Sequence, residues 1–472
     1  LLMPLNIPFD NTYAGLPEGF FSSQNPTPVK APSLIAFNKD LANLLGINGG
    51  DIDEMAQTFA GNAVPTGAAP LAQLYAGHQF GNYNPQLGDG RAVLMGEVVG
   101  TDGVRRDIQL KGSGPTTYSR NGDGRAWLGP VLREYVVSEA MHALGIPTTR
   151  ALAAVQTGEP VFREAAFPGA VLTRVARSHL RVGTFQVFAH RGQLENLQTL
   201  TDYAIQRHYP DATGPMGLLR AVCAAQAKLI AAWMSVGFIH GVMNTDNCSI
   251  SGETIDYGPC AFMDAYAERR VFSSIDRGSR YAFANQPDIA VWNMAQLATS
   301  LLQLATDKEA AVEEATAIVH AMPSQLEAEW LKRFGAKLGI ANASPADHAM
   351  IEDLLRMMEK DGSDYTNTFA ALRTDTARDQ FTNRDSFDAW AVSWRERLTQ
   401  EKEPTATMAT ANPVIIPRNH RIEEMIQAAV AGDLAPFERL NAALATPFET
   451  THSNLHRAPS AAEIVPATFC GT

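Results

Sequence analysis

The chain has 472 residues, a net charge of −12, 45% hydrophobic residues and 19% charged residues. That length supports a large core and two or three folding units, while the acidic balance excludes a general nucleic-acid binder, which carries a basic excess. The four cysteines, Cys223, Cys248, Cys260 and Cys470, are too scattered for a disulfide framework and point to a reducing compartment.

Leu1-Leu2-Met3 lacks the basic start and long apolar run of a signal peptide, so none is expected. Residues 1–35 are rich in Pro, Asn and Gly, with Phe9, Tyr13, Phe20 and Phe21 among them. They predict an extended arm without regular structure, laid over a surface. Short helices are predicted over 37–45 and 52–59. Gly88-Asp89-Gly90-Arg91 is a Gly-rich turn leading into a strand over 92–99, and a second strand over 106–110 ends at Lys111. Backbone N–H groups at such a turn can line phosphates, although an ordinary flexible hairpin has the same composition. Lys111 closes an apolar strand and is followed by glycines, which can turn it into a cleft. Gly122-Asp123-Gly124-Arg125-Ala126 then repeats the five residues from Gly88 to Ala92. Two Arg-bearing turns around one lysine suit a polyanion site.

A helix is predicted over 130–144. Pro130 stands in its first turn, Val131, Leu132, Tyr135, Val136, Met141 and Leu144 form its stripe, and Gly145 and Pro147 end it. Its Glu134 lies 23 residues after Lys111, and a kinase-type site pairs a strand lysine with a helix glutamate. Strands follow over 151–155 and 171–175. Arg174, Arg177 and Arg181 make a local positive patch suited to bidentate phosphate contacts, or to surface salt bridges. Helices are predicted over 194–207 and 217–238. The second carries Arg220, Gln226 and Lys228 and reads as a core helix, not a membrane span.

That helix runs into HGVMNTDNCSISGETIDYG, residues 240–258. Ser251-Gly252-Glu253 reads as a turn between two short strands. A hairpin there brings Asn247 and Asp256 to one end, as two oxygen ligands for a hard cation. An ordinary polar hairpin also fits those residues. Asp256-Tyr257-Gly258 is one aromatic swap from the Asp-Phe-Gly of protein kinases. Small-molecule-kinase-like loops place a carboxylate where Val242 stands, and valine cannot accept a proton. The remaining carboxylate of the loop is Asp246. The rest reads as helices over 291–304, 308–322, 324–338, 345–359, 386–399, 421–431 and 435–444. Loops are predicted at 361–369 and 401–410, the latter as a linker. There is no HExxH, GxSxG or GxxxxGK[ST] pattern.

Five segments carry a family resemblance: GHQFGNYNPQLGDGRA (77–92), DIQLKGSGPTTYSRNGDGRA (107–126), REYVVSEAMHALGIPTTRAL (133–152), HGVMNTDNCSISGETIDYGP (240–259) and NQPDIAVWN (285–293). Through them the chain closely resembles, over essentially its whole length, the selenoprotein O family of kinase-like protein adenylyltransferases. The resemblance implies an α+β, protein-kinase-like two-lobed fold with a β-rich N-lobe, a helical C-lobe and extra N- and C-terminal segments. Its expected divisions are an arm with short helices over 1–60, the N-lobe over 61–190, the C-lobe over 191–400 and a C-terminal segment over 401–472.

The resemblance also implies that ATP binds flipped relative to kinases, that AMP passes to Ser, Thr or Tyr of a protein, and that pyrophosphate leaves. The implied ATP-binding positions are Gly88, Gly90, Arg91, Lys111, Asp123, Gly124, Arg174, Arg181 and Asp256. Lys111, its partner Glu134 and the proton acceptor Asp246 are implied as catalytic. Asn247 and Asp256 are implied as ligands of magnesium, or of manganese. Cys470 matches a redox-sensitive C-terminal position. The partner cysteine that some members carry just after the metal aspartate is missing from 265–280. The implied partners are ATP and protein substrates, with neither nucleic acid nor membrane. A monomer is expected, cytoplasmic in a bacterium or mitochondrial in a eukaryote. The residues themselves leave two other readings open: a kinase-like phosphotransferase, and a non-catalytic nucleotide-binding or redox-sensing module.

Overall fold

Short apolar runs bounded by glycine turns make the first half of the chain β-rich. The computed structural model describes residues 3–469. Its first half contains β1 (Phe21–Ser23), β2 (Ser33–Phe37), α1 (Lys39–Leu44), α2 (Ile52–Ala60), β3 (Leu71–Gln73), β4 (Gly77–Gln79), β5 (Asn82–Asn84), β6 (Ala92–Val99), β7 (Arg105–Lys111), β8 (Ala126–Trp127), α3 (Leu128–Ala143), β9 (Arg150–Phe162) and β10 (Ala166–Ala176). Among the described residues, eight strands form one sheet in the order β1-β3-β6-β7-β10-β9-β2, with β8 beside β10. All its pairings are antiparallel. Both faces are covered. One apolar cluster joins Phe59 of α2 to Ile108, Val155 and Val175. Another joins Tyr135 and Val136 of α3 to Leu94, Ala154 and Leu172. Neighbours such as Ala154 and Val155 fall in different clusters, as the period of two requires.

The arm is not irregular throughout. β1 pairs with β3 and β2 with β9, so this Pro-rich stretch supplies both edges of the sheet. The helix expected from residue 37 begins at Lys39, because Phe37 still belongs to β2 and the Asn38 side chain caps α1 by accepting the Leu41 N–H at 3.1 Å.

The second half is helical: α4 (Val182–His190), α5 (Leu194–His208), α6 (Gly214–Ser235), then β11 (Phe238–Ile239) paired with β12 (Ala261–Phe262), α7 (Gln286–Leu301), α8 (Lys308–Lys337), α9 (His348–Asp361), α10 (Tyr365–Ala371), α11 (Arg384–Leu398), α12 (Pro404–Ala411), α13 (Asn419–Val430) and α14 (Ala435–Leu444). Among the described residues α6 is the one helix long and apolar enough to cross a membrane. Here it packs on α7 and α8, with Leu219, Val222, Ile230 and Ala232 fully buried.

Four expectations are corrected. The helices expected over 308–322 and 324–338 are one helix, α8, which carries Pro323 inside it. The loop expected over 361–369 contains the start of α10, capped by the Asp364 carboxylate on the Asn367 N–H at 2.8 Å. The linker expected over 401–410 is largely α12, opened by Pro404 in its first turn. The strands flanking Ser251-Gly252-Glu253 do not pair with each other. Ser249 bridges Arg181 and Thr254 bridges Thr148, so this stretch is a loop stitched to two different neighbours.

Sheet and helices are tied together by a buried ion network. Arg207 of α5 donates to Glu97 of β6 at 2.9 Å and to Asp107 of β7 at 2.6 Å, and both carboxylates are 1% exposed. His179 Nδ1 lies 2.8 Å from Asp107. Burial alone would raise the Asp107 carboxyl, but Arg207 and His179 outweigh it and hold it at about 2. Arg207→Met removes the cation that these two buried carboxylates share, leaving them their hydrogen bonds from His179, Thr12 and Tyr13. It is expected to cost about 3–5 kcal/mol of stability, measured by urea unfolding. A loss below about 1 kcal/mol would show that the network is not holding the two halves together.

Candidate active site

The site forms where β7, α3, β10, the start of α4 and the loop after β11 converge. Lys111 is the last residue of β7, and its Nζ donates to Glu134 of α3 at 2.6 Å and to Asp256 at 3.3 Å. Arg174 of β10 stands directly across from Gln109 of β7. Its Nη2 donates to Gln109 Oε1 at 2.7 Å, and its Nη1 reaches Asp256 at 2.6 Å and Glu134 at 3.2 Å. Arg181 is the residue before α4, where the Val182 N–H donates to the Cys248 carbonyl at 3.0 Å. Its guanidinium pairs with Asp256 Oδ2, donates to the Asp246 carbonyl at 2.6 Å and lies 4.6 Å over the Tyr75 ring.

Three cations thus meet one carboxylate. Burial alone would raise the Asp256 carboxyl, but Arg181, Arg174 and Lys111 outweigh it and hold it well below the usual range. Asp256 also has a φ of 60°, a conformation uncommon for a residue with a side chain and often found at functional sites. Burial pushes the Asp89 and Asp246 carboxyls the other way, each up to about 6.

Gly88, Gly90, Arg91, Lys111, Asp123, Gly124, Arg174, Arg181, Asp246, Asn247 and Asp256 line one cleft. Glu134 lies behind it and acts on it through Lys111 and Arg174. Gly88 has φ +96°, and a Cβ there would stand 2.6 Å from the Tyr118 ring, so the turn admits only glycine. Asp123 pairs with Arg163 at 2.8 Å and caps the Arg125 N–H at 2.9 Å, which sets the second Gly-Asp-Gly-Arg turn against β10's partner strand end. The Asn247 amide donates to the Val242 carbonyl at 3.0 Å. Its amide oxygen is therefore the atom left for a ligand. Cys470 lies outside the described residues. Cys260 is buried, and burial pushes its thiol up to about 12, which makes it a core residue.

Four contributors escape sequence reasoning: Tyr75, Gln79, Asp89 and Gln109. Gln109 left a signal, since it stands two residues before Lys111 on the same strand face. Asp89 holds the Gln73 N–H at 3.0 Å and Gln109 at 3.3 Å, so it is the anchor of the Gly-rich turn. Gln79 donates to Asp246 Oδ2 at 3.0 Å, a contact between residues 167 apart in sequence. No local pattern announces such a contact.

Residues 4–445 match the family model described as protein adenylyltransferase SelO. The chain is 70% identical over 472 residues to a protein of Ruegeria pomeroyi, 68% identical over 470 residues to one of Roseobacter denitrificans and 54% identical over 491 residues to one of Bradyrhizobium diazoefficiens. All three are named protein nucleotidyltransferase YdiU, and each match covers 100% of both chains. With a family model spanning most of the sequence and full-length relatives this similar, the chain belongs to the protein adenylyltransferase SelO family.

Proposed function

We propose that the protein transfers AMP from ATP to Ser, Thr or Tyr hydroxyls of other proteins and releases pyrophosphate. The observation that carries this reading is the convergence of Lys111, Arg174 and Arg181 on Asp256, beside a loop in which Val242 replaces the kinase carboxylate and Asp246 supplies one. The scaffold is a two-lobed, kinase-like fold. The β-rich lobe is assigned to 61–190 together with the edge strands β1 and β2 and the helix α2 from 1–60, and the helical lobe to 191–400, with 401–472 as an addition. The named relatives are bacterial, which supports a cytoplasmic location.

In this reading Lys111, Arg174 and Arg181 take the triphosphate, and Asp256 gives up part of their charge to it. As the acceptor oxygen bonds to the α-phosphorus, the bond to the bridging oxygen of pyrophosphate breaks. Negative charge grows on the leaving group, where the preorganised cations stabilise it. The acceptor hydroxyl proton passes to Asp246. Gly88 and Gly90 let the turn approach the nucleotide closely.

The donor set fits magnesium. Among the described residues no three His, Cys, Asp or Glu side chains form a metal cage. Asn247 and Asp256 offer two hard oxygens in the cleft, which suits an ion that keeps waters and phosphate oxygens. They would hold it, and when bound it would supply positive charge to the phosphate oxygens.

A phosphotransferase could use the same cleft with the γ-phosphate presented. The two are separated by incubating the protein, magnesium and protein acceptors with ATP labelled at the α- or the γ-phosphate. Label from the α-phosphate alone is expected. Label from the γ-phosphate alone would establish phosphoryl transfer, and no transfer to any acceptor would leave a nucleotide-binding module.

A further inference from the structure

β4 and β5 form a hairpin separate from the main sheet. Phe80 and Gly81 close it with φ of 52° and 81°, the two positive values of a type I′ turn. Phenylalanine is a poor residue for that conformation, and something must hold it there. The Phe80 N–H donates to Asn244 Oδ1 at 3.1 Å and to the Tyr281 hydroxyl at 3.2 Å. Its neighbours grip the same loop. The His78 N–H donates to Thr245 Oγ1 at 2.6 Å, and Gln79 Nε2 donates to Asp246 Oδ2 at 3.0 Å. Three consecutive hairpin residues therefore hold Asn244, Thr245 and Asp246.

Gly77 completes the grip. A Cβ there would lie 2.6 Å from Asp246 Oδ1 and 2.8 Å from its Cβ, so the carboxylate rests on bare backbone. Gln186 braces the contact from α4, accepting the Thr245 hydroxyl at 2.6 Å with its amide 2.7 Å from His78 Nδ1. The outcome is asymmetric: Asp246 Oδ2 is bonded to Gln79, while Oδ1 is buried without a hydrogen-bond partner. A buried carboxylate oxygen left alone is costly, and here it lies against the Gly77 backbone with no N–H or side chain bonded to it. The hairpin also runs on into the Gly-rich turn, which folds back so that the Leu87 and Asp89 N–H groups donate to Tyr75 and Gln73 at 2.8 and 2.9 Å.

We propose that Gln79 is a positioning residue for the transfer reaction. By donating to Oδ2 of Asp246, while Gly77 covers Oδ1, it fixes the orientation of the carboxylate for the acceptor hydroxyl, and the hairpin ties this loop to the nucleotide-holding turn. The inference rests on the reading of Asp246 as proton acceptor. A purely structural Gln79 would satisfy the same carboxylate, so the test must separate the two roles.

Gln79→Met keeps the length and removes the donor, and Gln79→Glu keeps the shape and removes the N–H. Each is compared with wild type for ATP affinity by calorimetry and for label transfer at saturating ATP. Both variants are expected to lose about 10- to 100-fold in kcat, with KM and Kd for ATP within about twofold of wild type. Wild-type kcat in both, or a fall explained by lost ATP affinity, overturns the inference. Asp246→Asn is run in parallel. Full transfer by Asp246→Asn removes the reading of Asp246 itself. Loss of transfer there with unchanged Gln79→Met rejects only the role of the hairpin.

Discussion

Asp256→Ala is expected to lower AMP transfer by about 1000-fold or more, about 4 kcal/mol of transition-state stabilisation, without weakening metal-free ATP binding. The two halves of that result come from one geometry. Asp256 accepts from Lys111, Arg174 and Arg181 at once, so in the empty site it occupies the cations that the phosphates need. Removing it frees them, and ATP measured in the presence of a chelator should bind at least as tightly as to wild type. Transfer needs more than binding, because Asp256 is also one of two oxygen donors proposed for magnesium. Full activity in this variant would sink the metal assignment. Weaker metal-free binding would show that the carboxylate holds the arginines in place for the nucleotide and does not compete with it.

Lys111→Ala is the second large effect. Its ammonium lies between Glu134 and Asp256, where leaving-group charge is proposed to develop. Losing one preorganised cation is expected to lower kcat/KM for ATP by about 100- to 1000-fold. The fold should tolerate the change, because Arg174 still reaches Glu134 at 3.2 Å and Asp256 at 2.6 Å. A melting temperature close to wild type with a collapse of activity is therefore the expected pair of observations. Unchanged turnover would remove Lys111 from the phosphate site. A large drop in melting temperature would make it a structural link between β7 and α3.

Much of this arrangement was legible in the sequence, and the reason is physical. β6 is an apolar run and β7 ends in the alternation Ile108-Gln109-Leu110-Lys111, with glycine turns around them, so their extent and the terminal position of Lys111 follow from pattern alone. α3 announces itself by its stripe and its Gly-Pro ending. Asn247 and Asp256 were found by spacing and motif, although the predicted hairpin between them does not exist. They converge because Ser249 and Thr254 are each held by a different element. The choice of AMP over phosphate came from the family resemblance, since nothing in the spacing distinguishes them. Short elements were missed where their stability is borrowed. α10 and α12 have 7 and 8 residues, too short to hold by propensity, and they form on the surfaces of longer neighbours. Gln79 was missed because its partner is remote in sequence.

The edges of the sheet carry a consequence for how the protein is made. β2 aligns Ser33 with Gln156 of β9, and the bridge of Phe9 reaches Val98. Ser33 therefore waits for a strand synthesised more than a hundred residues later before it is paired, and Phe9 for one in the middle of the sheet. Until then two unsealed strand edges face the cellular medium, ready to template the wrong partner. A chain shortened to begin at α1 would keep every residue of the cleft and lose both seals. Its fault would lie in solubility during synthesis before it lay in chemistry.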